Sequence, residues 1–269
     1  MESIVLKKYL RENESEWGDV VARVVDTFRE LNPNGLWNGE RLKMLERLLM
    51  DKIFIPGGRI LAGIGTGKNL TLHNCFAISI GDSLEEIFDT VKKVALISAS
   101  GGGVGINFSP LREKDSPVEH KVSTASGPVS FMKVVNSTAE VIRQGSVRRA
   151  ALIGILEVDH PDIVEFIHCK EKEGELASFN ISVLVDSRFM NAVASRSPIP
   201  MISRFKTFYR IGNEYDDKWI VGRIDASSLW DEIAYAAWRN GEPGLLFLEN
   251  MNRHNLAKDL MGWILSLIH

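Results

Sequence analysis

From Ile53 onward the chain alternates short apolar runs with helix-like stretches, and glycines, prolines and capping residues mark the changes. That alternation restricts the fold more than any single motif does. Residues 71–80 read as a strand. Ser83-Leu-Glu-Glu86 then reads as a capping box, in which the serine oxygen accepts from first-turn N–H groups and Glu86 reaches back. Leu84, Ile87, Phe88, Val91 and Ala95 follow as a helical stripe. The glycine run at 101–105 interrupts, and residues 106–108 look like a short strand. The pattern predicts a helix over 129–142 and a strand over 150–158. Asp159-His-Pro161 then starts a helix through Ile167, with proline in its first turn. Residues 179–185 read as a strand, and 201–210 with 218–221 as a hairpin around Gly212-Asn213. Ser228 opens a helix through Asn240 that Gly241 stops, and 244–248 read as a strand. Strands alternating with helices give a largely parallel α/β sheet. Periodicity does not separate an open sheet from a closed barrel.

Ahead of this region, residues 1–52 read as a small helical segment. Val20, Val21, Val24, Val25 and Phe28 recur at helical spacing, and Asn32-Pro33-Asn34-Gly35 ends that helix. A second helix over 39–50 turns Leu42, Leu45, Leu48 and Leu49 inward. Composition narrows the function classes. With 32 basic and 35 acidic residues the net charge is −3, so no overall basic field attracts nucleic acid or an anionic membrane. No apolar run is long enough to span a bilayer. Residues 1–9 lack the apolar core of a secretory signal. The two cysteines, Cys75 and Cys169, point to a reducing cytoplasm rather than a disulfide-built scaffold. With six scattered histidines they show no metal-ligand spacing.

Several motifs admit both a structural and a chemical reading. Gly101-Gly-Gly-Val-Gly105 invites a dinucleotide loop, but the spacing is not G-x-G-x-x-G, and a helix precedes it where a strand should. A helix C-cap with a tight turn is the other reading, and ligand contact stays open. Cys75 is either a small buried hydrophobe or a redox thiol. Asp82, in Gly81-Asp82-Ser83, is either part of a cap or a strong acceptor for a ligand hydroxyl. Arg112 is either a surface charge or a bidentate fork for phosphate. Gly57 and Gly58 in Pro56-Gly-Gly-Arg59 form either a turn or a place where backbone N–H groups approach oxygens. Arg143-Gln-Gly-Ser-Val-Arg-Arg149 is a solvated turn or a mobile cationic hinge. For Asp159-His160 the structural reading is preferred over acid/base machinery.

Taken in order, these segments resemble one family. They are Phe54-Ile-Pro-Gly-Gly-Arg59-Ile-Leu, His73-Asn-Cys75-Phe, Ser100-Gly-Gly-Gly-Val-Gly-Ile-Asn-Phe108, Ser126-Gly-Pro-Val-Ser-Phe-Met132, Arg143-Gln-Gly-Ser-Val-Arg-Arg149, Asp159-His-Pro-Asp-Ile163 and Phe179-Asn-Ile-Ser-Val183. The set resembles the catalytic subunit of class II, adenosylcobalamin-dependent ribonucleotide reductase. The resemblance implies an α/β fold that is the first half of a ten-stranded α/β barrel, here over residues 53–255, preceded by the helical 1–52. It implies that Cys75 is a reducing thiol and proton donor to the departing ribose 2′-oxygen. Gly57, Gly58 and Asn74 would bind substrate, and Gln144 and Arg148 would read the substrate base. Asp82 and Arg112 would hold an effector, a deoxynucleotide or ATP. The implied cofactor is adenosylcobalamin, and the implied partners are a ribonucleotide and a thioredoxin-type reductant.

The family's Asn-Pro-Cys-Gly-Glu motif, source of the thiyl radical and its general base, does not occur in the 269 residues. After Asn255 the sequence departs from the family into an apolar tail, 256–269. There Leu260, Trp263, Ile264 and Leu267 would form a sticky helical face. The expectation is an N-terminal portion that is inactive alone and works with a complementing C-terminal chain. The alternative is a truncated, non-catalytic remnant or a nucleotide-binding regulatory module.

Overall fold

Val20, Val21, Val24 and Val25 recur at helical spacing, and in the computed structural model they form the buried face of α1 (Trp17–Glu30). The structure describes residues 9–32, 34–67, 71–118, 123–143, 151–204 and 219–256. They form two compact units, one through Asn74 and one from Cys75. In the first unit α2 (Gly39–Met50) starts where the Asn38 side chain accepts from the Arg41 N–H, and it packs Leu42 and Leu49 against α1. A short α3 (Gly58–Gly63) adds Leu61 and Ile64 to the same core. Arg23 ties the unit together through Glu14 at 2.5 Å and the carbonyls of Ile64 and Leu61 at 2.6 and 3.1 Å. The sequence texture changes at Ile53, yet the units divide at 74/75, because α3 sends its apolar side chains into the helical core.

The second unit runs β1 (Cys75–Ile78), α4 (Leu84–Ala99), β2 (Gly103–Asn107), α5 (Pro128–Arg143), β3 (Leu152–Glu157), α6 (Ile163–His168) and β4 (Phe179–Val185). It continues with α7 (Ser187–Ser195), β5 (Pro198–Ile202), β6 (Ile220–Asp225), α8 (Ala226–Asn240), β7 (Gly244–Phe247) and α9 (Leu248–Arg253). Among the described residues, five strands pair in parallel in the order β1-β2-β3-β4-β7. Helical crossovers join them, as parallel pairing requires. Ile106, Ile155, Leu156, Val183 and Val185 are fully buried, so the middle strands turn mainly apolar side chains into the core, with Asn180 of β4 exposed and Ser182 half-buried. At the edges, β1 and β7 keep part of their residues exposed. The expected mixed α/β architecture with a parallel sheet is therefore present.

Several local expectations need correction. The strand expected over 71–80 is only Cys75–Ile78. The Ser83 cap forms, with its oxygen accepting from the Glu86 N–H at 3.2 Å. Glu86, however, takes the Ser83 hydroxyl at 2.6 Å instead of reaching the backbone. The face of α4 is rotated: Ile87, Thr90, Val94 and Ser98 are buried, whereas Leu84 and Phe88 are 55% and 54% exposed. Thr90 survives burial because its hydroxyl donates to the Ser79 and Glu86 carbonyls. The helix after β3 starts at Ile163, not at Asp159. Asp159 is engaged instead by Arg204 at 2.6 Å. Asp225 rather than Ser228 caps α8, accepting from the Ser228 N–H at 2.7 Å. The hairpin is antiparallel β5–β6, with 205–218 outside the described residues. The short α3, α7 and α9 were not expected.

Candidate functional site

Cys75 is the first residue of β1 and is exposed. Its strand is an edge of the sheet, so the start of β1 is not covered by a further strand among those described. The register sets Cys75 beside Gly103, and Phe76 beside Val104, which in turn faces Leu152. Strand starts 75, 103 and 152 thus lie side by side at one end of the sheet. Two strand spacings, about 10 Å, separate the first from the last. Arg143 ends α5 and Leu152 opens β3, so the connection between them enters at that same end. Gln144 and Arg148, expected to read a base, fall in this connection and lie outside the described residues.

In the first unit the structure brings Gly57, Gly58 and Asn74 together. A Cβ on Gly57 would lie 3.9 Å from Asn74 Nδ2, and one on Gly58 would lie 2.7 Å from the Tyr9 hydroxyl. Arg59 holds the Asn74 side chain, its Nε donating to Oδ1 at 2.9 Å. Arg59 was read only as part of a motif. Its partner is 15 residues away in sequence, so spacing did not give the pairing. Asn74 is joined to Cys75 by the peptide bond itself.

Asp82 and Arg112 also meet. The Arg112 backbone N–H donates to Asp82 Oδ1 at 2.9 Å, and its Nε donates to Oδ2 at 2.7 Å. Nη1 reaches the Pro117 carbonyl at 3.2 Å. The pair is largely shielded, with side chains 10% and 21% exposed, which strengthens a charge-assisted bond. Asp82 follows β1 and Arg112 follows β2, so this pair sits at the end of the sheet opposite Cys75. The glycine run resolves on its structural side: Gly101 has φ +83° after α4, and a Cβ on Gly102 would lie 2.5 Å from Ile97 Cγ2. The helix-then-strand order around it excludes the dinucleotide loop.

His160 is fully buried and acts as a tie. Its Nε2–H donates to the Leu111 carbonyl at 2.9 Å, and Nδ1 accepts from the Asp162 N–H at 3.0 Å. Burial, with the Arg204 charge beside it, pushes its pKa down to about 4, so the ring is neutral. Burial pushes the Cys169 thiol up to about 12, so it is a poor nucleophile. Among the described residues no group of His, Cys, Asp or Glu is arranged to hold a metal ion, and no helix is long and apolar enough to cross a membrane.

These features define an α/β protein with an exposed thiol at one end of a parallel sheet and a part-buried acid–arginine pair at the other. The ribonucleotide reductase barrel domain family matches residues 73–264. A vitamin B12-dependent ribonucleoside-diphosphate reductase from Thermoplasma acidophilum is 39% identical over 239 residues, covering 87% of this chain and 30% of the relative. The enzyme of the same description from Mycobacterium tuberculosis is 40% identical over 209 residues, covering 77% and 28%. A vitamin B12-dependent ribonucleotide reductase from Streptomyces clavuligerus is 31% identical over 294 residues, covering 93% and 29%. The chain belongs to the ribonucleotide reductase family. It spans about 30% of the length of the curated relatives it matches.

Proposed function

We propose that this chain supplies a reducing thiol and nucleotide contacts for the reduction of ribonucleotides to deoxyribonucleotides. The observation that carries the reading is the exposed Cys75 at the strand end that the 143–152 connection also enters. Replacing the ribose 2′-OH by hydrogen takes two electrons. Cys75 and a second thiol supplied by another part of the enzyme give them up by closing a disulfide, and the 2′-oxygen leaves as water. A thioredoxin-type dithiol then reopens the disulfide. Gly57, Gly58 and Asn74 bind the substrate, and Arg59 fixes the Asn74 amide. Gln144 and Arg148 read its base. Asp82 accepts from an effector's ribose hydroxyl, and Arg112 holds both Asp82 and effector phosphate. The effector is a deoxynucleotide or ATP.

The relatives' names point to cobalamin, whose bound adenosyl form supplies a radical by homolysis of its cobalt–carbon bond. Two cavities lined by described residues do not fit it. One, of about 10 Å³, lies among Glu157, Asp159, Asp186 and Leu248, and another, of about 240 Å³, among Lys133, Asn136 and Glu175. Neither encloses a corrin. The five-stranded parallel sheet forms half of a ten-stranded barrel, and the exposed faces of β1 and β7 are where closure occurs.

The test is reconstitution. Residues 1–269 with adenosylcobalamin and dithiol should form no deoxynucleotide alone. Addition of a polypeptide carrying Asn-Pro-Cys-Gly-Glu and the rest of the barrel should restore turnover. Cys75→Ser should then abolish that turnover while leaving nucleotide affinity within about twofold, and an unaffected rate would remove Cys75 from the chemistry.

A further inference from the structure

The loop after β2 is held by a different tie at almost every residue. The Leu111 carbonyl takes the His160 Nε2–H, Arg112 takes Asp82, and the Lys114 N–H donates to Asp162 at 2.9 Å. Glu113 points another way, toward the β5–β6 hairpin. One of its carboxylate oxygens accepts from the Ser203 hydroxyl at 2.5 Å, and the other accepts from the Arg204 N–H at 2.9 Å. These partners are 90 and 91 residues away in sequence. Burial alone would raise the Glu113 pKa, but the bonds from Ser203, the Arg204 backbone and Ser116 outweigh it and leave it lowered, so the carboxylate is charged near neutrality. Arg204 completes the clasp, donating to Glu157 at 2.8 Å and Asp159 at 2.6 Å at the end of β3. On the hairpin side, the Ser203 N–H donates to the Trp219 carbonyl at 2.9 Å, across the two arms.

We propose that Glu113 is a positioning residue that couples the loop carrying Arg112 to the β5–β6 hairpin, so that nucleotide held at Asp82 and Arg112 also stiffens the hairpin. This rests on the reading of Asp82 and Arg112 as a nucleotide site. Arg112 and Glu113 are consecutive, so fixing one side chain restricts the backbone that presents the other. Opening the hairpin breaks both bonds to Glu113 and releases a loop that bound nucleotide holds in place. Nucleotide therefore raises the free energy of hairpin opening, and by linkage a closed hairpin raises nucleotide affinity.

Hydrogen exchange of residues 1–269, with and without saturating dATP, dTTP, dGTP or ATP in turn, tests this. At least one nucleotide should slow exchange at 111–118. The same nucleotide should slow exchange in 198–202 and 220–225 by about fivefold or more, the lower end of ordinary coupling. In Glu113→Ala the loop should remain protected, while nucleotide no longer changes hairpin exchange. A merely structural Glu113 would instead speed hairpin exchange equally with and without nucleotide, leaving the ratio intact, and that result overturns the proposal. Should Glu113→Ala not fold, Ser203→Ala must lower the ratio, and an unchanged ratio overturns the proposal equally. Wild-type protection at the loop with none in the hairpin refutes the coupling but keeps the nucleotide site. No protection anywhere removes the site, and the coupling with it.

Discussion

Cys75 and Cys169 differ in access, one of the properties that govern thiol reactivity. Cys75 is exposed, while Cys169 is buried with its pKa pushed up to about 12. A thiol reagent at pH 8 should therefore label one site rapidly under native conditions, Cys75→Ser should remove that label, and Cys169 should react only on unfolding. Fast labelling of Cys75→Ser would contradict the burial. His160 predicts a pH effect of definite sign. Its folded pKa, about 4, lies below the ordinary 6.5, so between those values the unfolded chain binds more protons. Stability from this ring is present above pH 6.5 and is lost as pH falls toward 4, by up to roughly 3 kcal/mol. The charges of Arg204, Glu113 and Asp159 act on the ring, and the Leu111 carbonyl accepts a hydrogen bond from its Nε2–H. Melts of wild type and His160→Gln between pH 4 and 7 should differ in slope, with the wild type steeper; parallel slopes would count against a buried neutral ring. Cys75, Asp82 and Arg112 could be picked from the sequence because each stands in a short motif. Arg59 with Asn74, and Glu113 with Ser203, could not be paired, since only folding brings together partners 15 and 90 residues apart.

At the scale of elements, tight packing of α4 against β1 and β2 makes Gly102 sensitive. An added Cβ would meet Ile97 Cγ2 at 2.5 Å and the Phe76 ring at 2.8 Å, and a β-branched side chain cannot swing away. Gly102→Ala should cost about 1–3 kcal/mol in denaturant unfolding, and a neutral result would contradict the close approach. The rotated face of α4 gives a paired test. Val94→Ala should cost about 2 kcal/mol, whereas Phe88→Ser should stay within about 0.5 kcal/mol in the isolated chain. The reverse order would restore the stripe expected from periodicity. That stripe failed because Thr90 and Ser98 are polar by composition yet small enough to pack, while Phe88 is apolar yet exposed. The strands were easier to read. Residues 152–156 are an uninterrupted apolar run and 183–185 another, because the middle of a parallel sheet is covered on both faces, while Asn180 and Ser182 break the start of β4. The short helices Gly58–Gly63 and Leu248–Arg253 are too brief to show a period.

At the scale of the molecule, the proposed function gives the two ends of the sheet different tasks. One end holds Cys75 and receives the 143–152 connection, and the other holds Asp82, Arg112 and the Glu113 clasp. The parallel order of the five-stranded sheet was legible because a helix lies in each connection between its successive strands. Closure of such a sheet into a barrel is not legible, since periodicity along a strand carries no information on what pairs with its outer edge. The central claim is that Cys75 delivers electrons to the ribose, and a single turnover tests it directly. Residues 1–269, the complementing polypeptide, adenosylcobalamin and ribonucleotide are combined without external dithiol, and the products are quenched by alkylation for peptide mass analysis. The account predicts one disulfide containing Cys75 for each deoxynucleotide formed. Deoxynucleotide accumulating while Cys75 stays fully alkylated would contradict it.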